Sequence, residues 1–143
     1  MKERFGFRDV SPSDIPFVRE IDHLSFGADD QYPDEFYHSL VHSELRTIIA
    51  ATPAGDIAGY ALLELGRKPI RLRSIATHPE HRRKGCAEFL IRHILEVFGL
   101  PIELLVKKEN VRAIRLYQRL GFKYLHRPAD AELAESSFMF VLS

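Results

Sequence analysis

The sequence predicts an α/β protein in which about seven strands form one mixed central sheet and about four helices flank it. Three observations carry this prediction. Strand and helix patterns follow the order β-α-α-β-β-β-α-β-α-β-β. A helical segment at residues 85–98 separates the fourth and fifth strands, which therefore need a crossover and pair in parallel. A turn signal, PAGD, joins the second and third strands as a hairpin, within an otherwise largely antiparallel sheet.

The first strand and two helices occupy the N-terminal third. In the strand RFGFRDV, Phe5 and Phe7 alternate with charged residues. A helix follows from about Ser13, because Pro16 is tolerated only in a first turn. Residues 33–45 carry a second apolar stripe at helical spacing.

The remaining elements follow from the periodicity of apolar residues and from residues that begin or end helices. Three strands are predicted at residues 45–52, 57–66 and 69–77. The crossover helix stops at Gly99, and an apolar strand follows at 101–106. The last helix has Asn110 as its N-cap and Gly121 just beyond its end. Strands at 122–127 and 136–143 complete the set.

The composition fits a single domain spanning residues 1–143. Hydrophobic residues make up 45% of the chain, and 20 basic side chains balance 20 acidic ones. We therefore expect no nucleic-acid or membrane partner. Cys86 is the only cysteine, which excludes an intramolecular disulfide and a cysteine-based metal cluster; no metal site is predicted. The N-terminus is too charged for a signal peptide. We expect a cytoplasmic monomer or homodimer.

Three cations, Arg82, Arg83 and Lys84, stand at the start of the crossover helix. A helix N-terminus already carries roughly half a positive charge, so this crowding favours a bound anion. A strand, a glycine turn and a helix also aim backbone N–H groups at one point, which suits phosphate. The alternative is a solvated basic run on a surface helix. The loops GxxxxGK[ST] and GxGxxG are absent.

Two segments resemble the GNAT superfamily of N-acetyltransferases. The family's acetyl-CoA loop, Arg/Gln-x-x-Gly-x-Gly/Ala, is matched by residues 82–87 within RSIATHPEHRRKGCAEFLIRHIL. The second family segment, Asn-x-x-Ala-x-x-Leu-Tyr-x-x-x-Gly-Phe, is matched by Asn110, Ala113, Leu116, Tyr117, Gly121 and Phe122. The N-terminal segment and the length look most like the branch that acetylates protein N-terminal amines, including ribosomal-protein alanine.

The resemblance implies a binding mode for acetyl-CoA. The fourth and fifth strands would splay apart, with the pantetheine arm between them and the diphosphate on the backbone amides of residues 83–87. The implied coenzyme-binding residues are Ile75, Ala76, Thr77, Arg82, Arg83, Lys84, Gly85, Cys86, Ala87, Asn110 and Tyr117.

The implied reaction is direct acetyl transfer to a primary amine, carried by a small molecule, an amino acid or a protein N-terminus. Tyr117 would protonate the departing thiolate. Its helical position alone favours a different interpretation, in which Tyr117 is a core aromatic residue with a solvated hydroxyl.

The catalytic base departs from the family pattern. Two branches of the family place a carboxylate at positions that are here Leu105 and Arg71. Glu103 lies on the same strand face as Leu105 and is the first substitute; Glu64 is the second. The competing interpretations are that both are solvated strand-end charges and that ordered water accepts the proton.

The acceptor side of the site has no single interpretation from the sequence. Asp29, Asp30, Asp34 and Glu35 either favour a cationic acceptor or are helix-start and loop charges. The C-terminal segment lacks the tyrosine pair expected for gripping a peptide N-terminus. Two rival functions therefore remain open, namely a catalytically silent acyl-CoA-binding sensor or regulatory domain, and a nucleotide- or phosphate-binding interaction domain.

Overall fold

Seven strands form one mixed sheet in the order β1-β2-β3-β4-β5-β7-β6. The computed structural model describes residues 4–25, 32–40, 45–66, 69–99, 101–126 and 136–142. The strands are β1 (Gly6–Asp9), β2 (Arg46–Ala51), β3 (Ile57–Glu64), β4 (Ile70–Thr77), β5 (Ile102–Lys107), β6 (Lys123–His126) and β7 (Ser137–Leu142). The helices are α1 (Ile15–Ser25), α2 (Asp34–Ser39), α3 (Cys86–Phe98) and α4 (Val111–Arg119). The predicted fold class and element order are confirmed.

The start of α1 differs from the sequence prediction, because residues 12–14 form a separate 3-10 turn before it. Asp14 closes this turn by accepting a hydrogen bond from the Ser11 N–H at 2.8 Å. The Arg8 guanidinium of β1 donates to both oxygens of the same carboxylate, at 2.5 and 2.7 Å. These contacts hold the pKa of Asp14 below its usual value and tie α1 to the sheet edge.

Helices cover both faces of the sheet. Successive residues of a strand point to opposite faces, so Ile48 and Leu63 pack against α3 while Ile49 and Leu62 pack beneath α1 and α2. Residues 58–63 of the interior strand β3 are therefore all buried. The second helical stripe gives α2 at Asp34–Ser39; residues 41–44 of that predicted helix lie outside the described residues.

The only parallel pair in the described sheet, β4 with β5, is short. It joins Ile70–Leu72 to Ile102–Leu104. Beyond that point β4 continues along β3 to Thr77, while β5 continues along β7 to Lys107. The β3–β4 register also shifts at Leu62/Leu63, which leaves Arg73 as an extra residue in a bulge. The two strands thus separate, as the family resemblance implies, and open a gap in the sheet.

A close contact at Gly59 sets the start of α3 against the sheet. A Cβ at this position would lie 2.6 Å from the Ala76 carbonyl oxygen and 2.9 Å from the Cys86 sulfur. Cys86 is the first residue of α3 and is 2% exposed. Only glycine lets β3 approach both the β4 backbone and the helix start this closely.

We predict that Gly59→Ala lowers the free energy of unfolding by about 1–3 kcal/mol, the usual cost of overpacking. Urea denaturation of the variant and wild type measures this change. Gly6→Ala in β1 is the matched control, because nothing lies within 4 Å of a Cβ there. Equal stability of the two variants would contradict the proposed contact.

Candidate active site

Two connected cavities open at the gap between β4 and β5. The inter-strand cavity, about 610 Å³, lies between the separated halves of the two strands. The loop groove, about 820 Å³, runs along the loop before α3 and the start of α4. Four residues line both cavities, namely Ser25, Ile75, Asn110 and Tyr117. The two cavities therefore adjoin beside Tyr117.

The predicted coenzyme-binding residues gather along these cavities. All of them except Lys84 line one cavity or both. The Cys86 side chain packs into the core beside Gly59, so its backbone, rather than its thiol, is what this residue offers to the groove. Lys84 and the predicted base Glu103 line neither cavity.

The backbone of the loop turns sharply before α3. Arg83 has φ +64° and Gly85 has φ +84°, both in the left-handed region. Gly85 is the N-cap of α3, and its carbonyl accepts the Phe89 N–H at 2.9 Å. The first turn of a helix has N–H groups without acceptors in a preceding turn, and here that turn borders the groove. The helix dipole adds positive potential at the same place, which suits an anion.

Arginines of α4 add charge to the groove. Arg112, Arg115 and Arg119 line it together with Arg83. Their i, i+3, i+7 spacing puts the three α4 arginines on one helix face. These three residues were not predicted from the sequence as part of the site, although their spacing indicates a basic face on a helix.

Arg82 has a different environment from Arg83. Its Nε donates to the Thr77 carbonyl at 3.3 Å, and its Nη2 donates to the Ser25 hydroxyl at 3.4 Å. The side chain thereby links the loop to the end of β4 and the end of α1, and it borders the groove while doing so.

Tyr117 projects from α4 to the junction of the two cavities. Its ring packs against Phe122 at a centroid distance of 5.5 Å. Its hydroxyl forms no hydrogen bond with any residue that the structure describes. Burial raises the pKa of Tyr117 to about 12, so the phenol is protonated at physiological pH. Asn110 supports this helix as predicted, because its side-chain oxygen accepts the Ala113 N–H at 3.2 Å.

Both predicted substitutes for the base are ion-paired with arginines of β4. Glu103 accepts two hydrogen bonds from Arg71, at 2.7 and 3.1 Å, and is 5% exposed. Glu64 lies 3.3 Å from Arg73 and also lines neither cavity. These contacts favour a structural role for both carboxylates over proton transfer.

The predicted acidic acceptor region is described only in part. Asp34 and Glu35 lie in the first turn of α2, where Asp34 pairs with Arg19 at 2.9 Å. Neither residue lines a cavity. Asp29 and Asp30 lie outside the described residues.

A buried polar chain reaches the inter-strand cavity from α1. Asp22 is 1% exposed, and the hydroxyls of Tyr37 and Tyr60 donate to its two oxygens, Tyr37 at 2.7 Å. The Tyr60 and Ser74 oxygens are 2.9 Å apart, and Ser74 lines the cavity. Burial raises the pKa of Asp22 despite the two phenol donors, which act in the opposite direction. No local sequence pattern indicated this chain, because residues 38 and 14 positions apart form its links.

Comparisons with known proteins identify the family of the chain. A family model described as the acetyltransferase (GNAT) family matches residues 15–122. The chain is 29% identical over 128 residues to streptothricin acetyltransferase of Streptomyces lavendulae, covering 84% of this chain and 64% of that one. It spans between 33% and 64% of the length of several curated relatives.

Solved structures share the fold. One is the ribosomal-protein-S18-alanine N-acetyltransferase from Escherichia coli, with a TM-score of 0.75 and 22% identity over 97% of this chain and 93% of that one. Another is Ard1 from Thermoplasma volcanium, with a TM-score of 0.77 and 20% identity over 96% of each chain. Within the described ranges, no helix has the length and apolarity to cross a membrane.

The opposite pKa shifts of Asp22 and Asp14 predict opposite pH dependences of stability. Folding raises the pKa of Asp22, so this residue stabilises the folded protein at a pH below its pKa in the unfolded chain. That stabilisation is lost as pH rises through its pKa in the folded protein. Folding lowers the pKa of Asp14, so this residue stabilises the folded protein at a pH above its pKa in the unfolded chain. That stabilisation is lost as pH falls through its pKa in the folded protein.

Urea unfolding of wild type, Asp22→Asn and Asp14→Asn between about pH 3 and pH 7 measures both effects, because the contribution of Asp14 is lost mainly below its unfolded pKa. As pH falls, wild type should gain stability relative to Asp22→Asn and lose stability relative to Asp14→Asn. The same sign for both variants would contradict the assigned environments.

Proposed function

The chain belongs to the GNAT family of acetyltransferases, and we propose that it transfers the acetyl group of acetyl-CoA directly to a primary amine. The observation that carries this proposal is the position of Tyr117, a protonated phenol where two cavities meet. One cavity suits a phosphate-bearing coenzyme and the other suits an acceptor. Acetyl-CoA supplies the acetyl group as an activated thioester.

The loop groove fits the coenzyme. The backbone of residues 83–87 and the positive end of α3 receive the diphosphate, and Arg112, Arg115 and Arg119 attract the remaining phosphate charge. Ile75, Ala76 and Thr77 offer the β4 edge that β5 has left, so they pair with the amide-bearing pantetheine arm. Lys84 and Asn110 remain predicted contacts of the coenzyme.

Acetyl transfer then relies on proximity and hydrogen bonding. The inter-strand cavity holds the amine against the thioester carbonyl, which makes the attack effectively unimolecular. A backbone N–H of β4 near the bulge at Arg73 stabilises the developing oxyanion. As the C–S bond breaks, Tyr117 donates its hydrogen to the departing sulfur, because its raised pKa keeps the phenol protonated. The second proton that the amine nitrogen loses when the amide forms then restores the phenol.

The acceptor we propose is the α-amine of a peptide, protein or amino acid. The charged residues lining the inter-strand cavity are Arg73, Lys107 and Glu109, a balance that gives a polycation no net attraction. The similarity to the ribosomal protein bS18-alanine N-acetyltransferase of Escherichia coli, 33% identical over 75 residues, supports this acceptor class. A small-molecule amine is the second candidate, favoured by the similarity to streptothricin acetyltransferase.

Thiol release from acetyl-CoA tests the enzyme against the two rival functions. An enzyme releases coenzyme A in the presence of an amine, whereas a silent acyl-CoA sensor binds acetyl-CoA and desulfo-CoA without turnover. A nucleotide-binding domain binds ATP at least as tightly as acetyl-CoA. Calorimetric titration with the three ligands identifies a nucleotide-binding domain, and thiol release separates the enzyme from the silent sensor.

We predict that Tyr117→Phe lowers kcat about 100-fold, the lower range for a lost proton donor, while the Kd for acetyl-CoA changes less than about twofold. Tyr124→Phe is the control, because Tyr124 on β6 is 52% exposed and lines neither cavity. Steady-state thiol release gives kcat. Unchanged turnover in Tyr117→Phe would rule out its catalytic role.

We also predict a preference among acceptors. At equal concentrations, a peptide starting with alanine should be acetylated faster than spermidine, because the charged residues that line the cavity give a polycation no net attraction. Arg73→Glu should reduce the difference in acetylation rate between the peptide and spermidine. Competition assays read by mass spectrometry measure the ratio, and faster acetylation of spermidine by wild type would refute the proposed acceptor class.

A further inference from the structure

We propose that Asp22, acting through Tyr60 and Ser74, receives the proton that the acceptor amine must lose before attack. This inference rests on the proposed function and addresses the missing carboxylate at position 105. The three side chains come from α1, β3 and β4, and they form a continuous path from a buried carboxylate to the inter-strand cavity.

The direction of each hydrogen bond along this path follows from the number of hydrogens that each group can donate. An ionised carboxylate only accepts hydrogen bonds, so the single hydroxyl hydrogen of Tyr60 points to Asp22. The Tyr60 oxygen must then accept in its contact with Ser74, and Ser74 donates its own hydrogen. The Ser74 oxygen is left with acceptor capacity at the cavity. The charge of Asp22 thus orients Ser74 as an acceptor for the N–H of an ammonium group.

Proton transfer along the path is balanced. The ammonium group gives one proton to Ser74, Ser74 gives its hydroxyl proton to Tyr60, and Tyr60 gives its phenolic proton to Asp22. The products are a neutral amine and a neutral carboxylic acid, and both hydroxyl groups keep one hydrogen. The amine lone pair is then available for the thioester carbon. After product release, the proton returns along the path to water in the emptied cavity.

Asp22 suits this role better than Glu103 or Glu64. Those two carboxylates are held by Arg71 and Arg73, whereas the direct hydrogen-bond donors to Asp22 are neutral phenols. The raised pKa of Asp22 also brings it closer to the range in which a base is effective. The other titratable or charged groups near this carboxylate and its phenols are His23, Tyr32, and Arg73 beside Tyr32.

Two matched variants test the path. Tyr60→Phe and Tyr37→Phe each remove one phenol donor from Asp22, but only Tyr60 connects to Ser74. We expect Tyr60→Phe to lower kcat about 100-fold and Tyr37→Phe less than about tenfold. The acid limb of the kcat profile should move to higher pH in Tyr37→Phe, because the carboxylate loses a stabilising donor. Ser74→Ala should lower kcat as much as Tyr60→Phe does. Ser74→Thr keeps a hydroxyl at this position and should retain most of the wild-type kcat.

Ser74→Ala leaves both donors to Asp22 in place, so it provides a measurement even if the tyrosine variants fold poorly. The Kd for acetyl-CoA and the unfolding temperature are recorded for each variant. Equal losses in Tyr37→Phe and Tyr60→Phe, or full activity of Ser74→Ala, would overturn the path while the proposed function stands. Absence of thiol release from wild type with every amine would overturn the proposed function and the path with it.

Discussion

The separation of β4 from β5 after three paired residues is the constraint on which the site depends. Both strands stay in the sheet because each has another partner, β3 for one and β7 for the other. On the side that faces the gap, the backbone of β4 from Arg73 to Thr77 therefore has no paired strand among the described residues. Backbone N–H and C=O groups need partners, so this edge suits an extended, amide-bearing ligand.

The surrounding contacts hold this gap in a fixed relation to the chemistry. Gly59 lets the start of α3 sit directly on β3 and β4, and Arg82 links the loop to β4 and α1. Direct contacts therefore join the proposed anion-binding loop to the open strand edge. Tyr117 reaches the same point from α4, and Ser74 reaches it from the opposite face through the chain that begins at Asp22. The groups proposed for leaving-group protonation and amine deprotonation thus border one cavity.

Local patterns in the sequence predict most of the fold and an anion site at the loop before α3, whereas the other coenzyme contacts are implied only by the family resemblance. Periodicity and glycine positions define the helices, and Asn110 caps α4 as its position before an amphipathic run suggests. The acceptor side was much less predictable, because it depends on strand register and on contacts between distant segments. The pairing of Arg71 with Glu103 follows from a parallel register that no local pattern specifies, and Asp22 meets Tyr60 only after α1 packs on the sheet.

Amide hydrogen exchange followed by NMR, with and without acetyl-CoA, tests the central claim most directly. If the coenzyme occupies the gap and the loop groove, exchange should slow at Ile75–Thr77 and at 83–87, while amides of β1 at the far edge of the sheet keep their rates. Unchanged exchange in both segments at saturating acetyl-CoA would contradict the account.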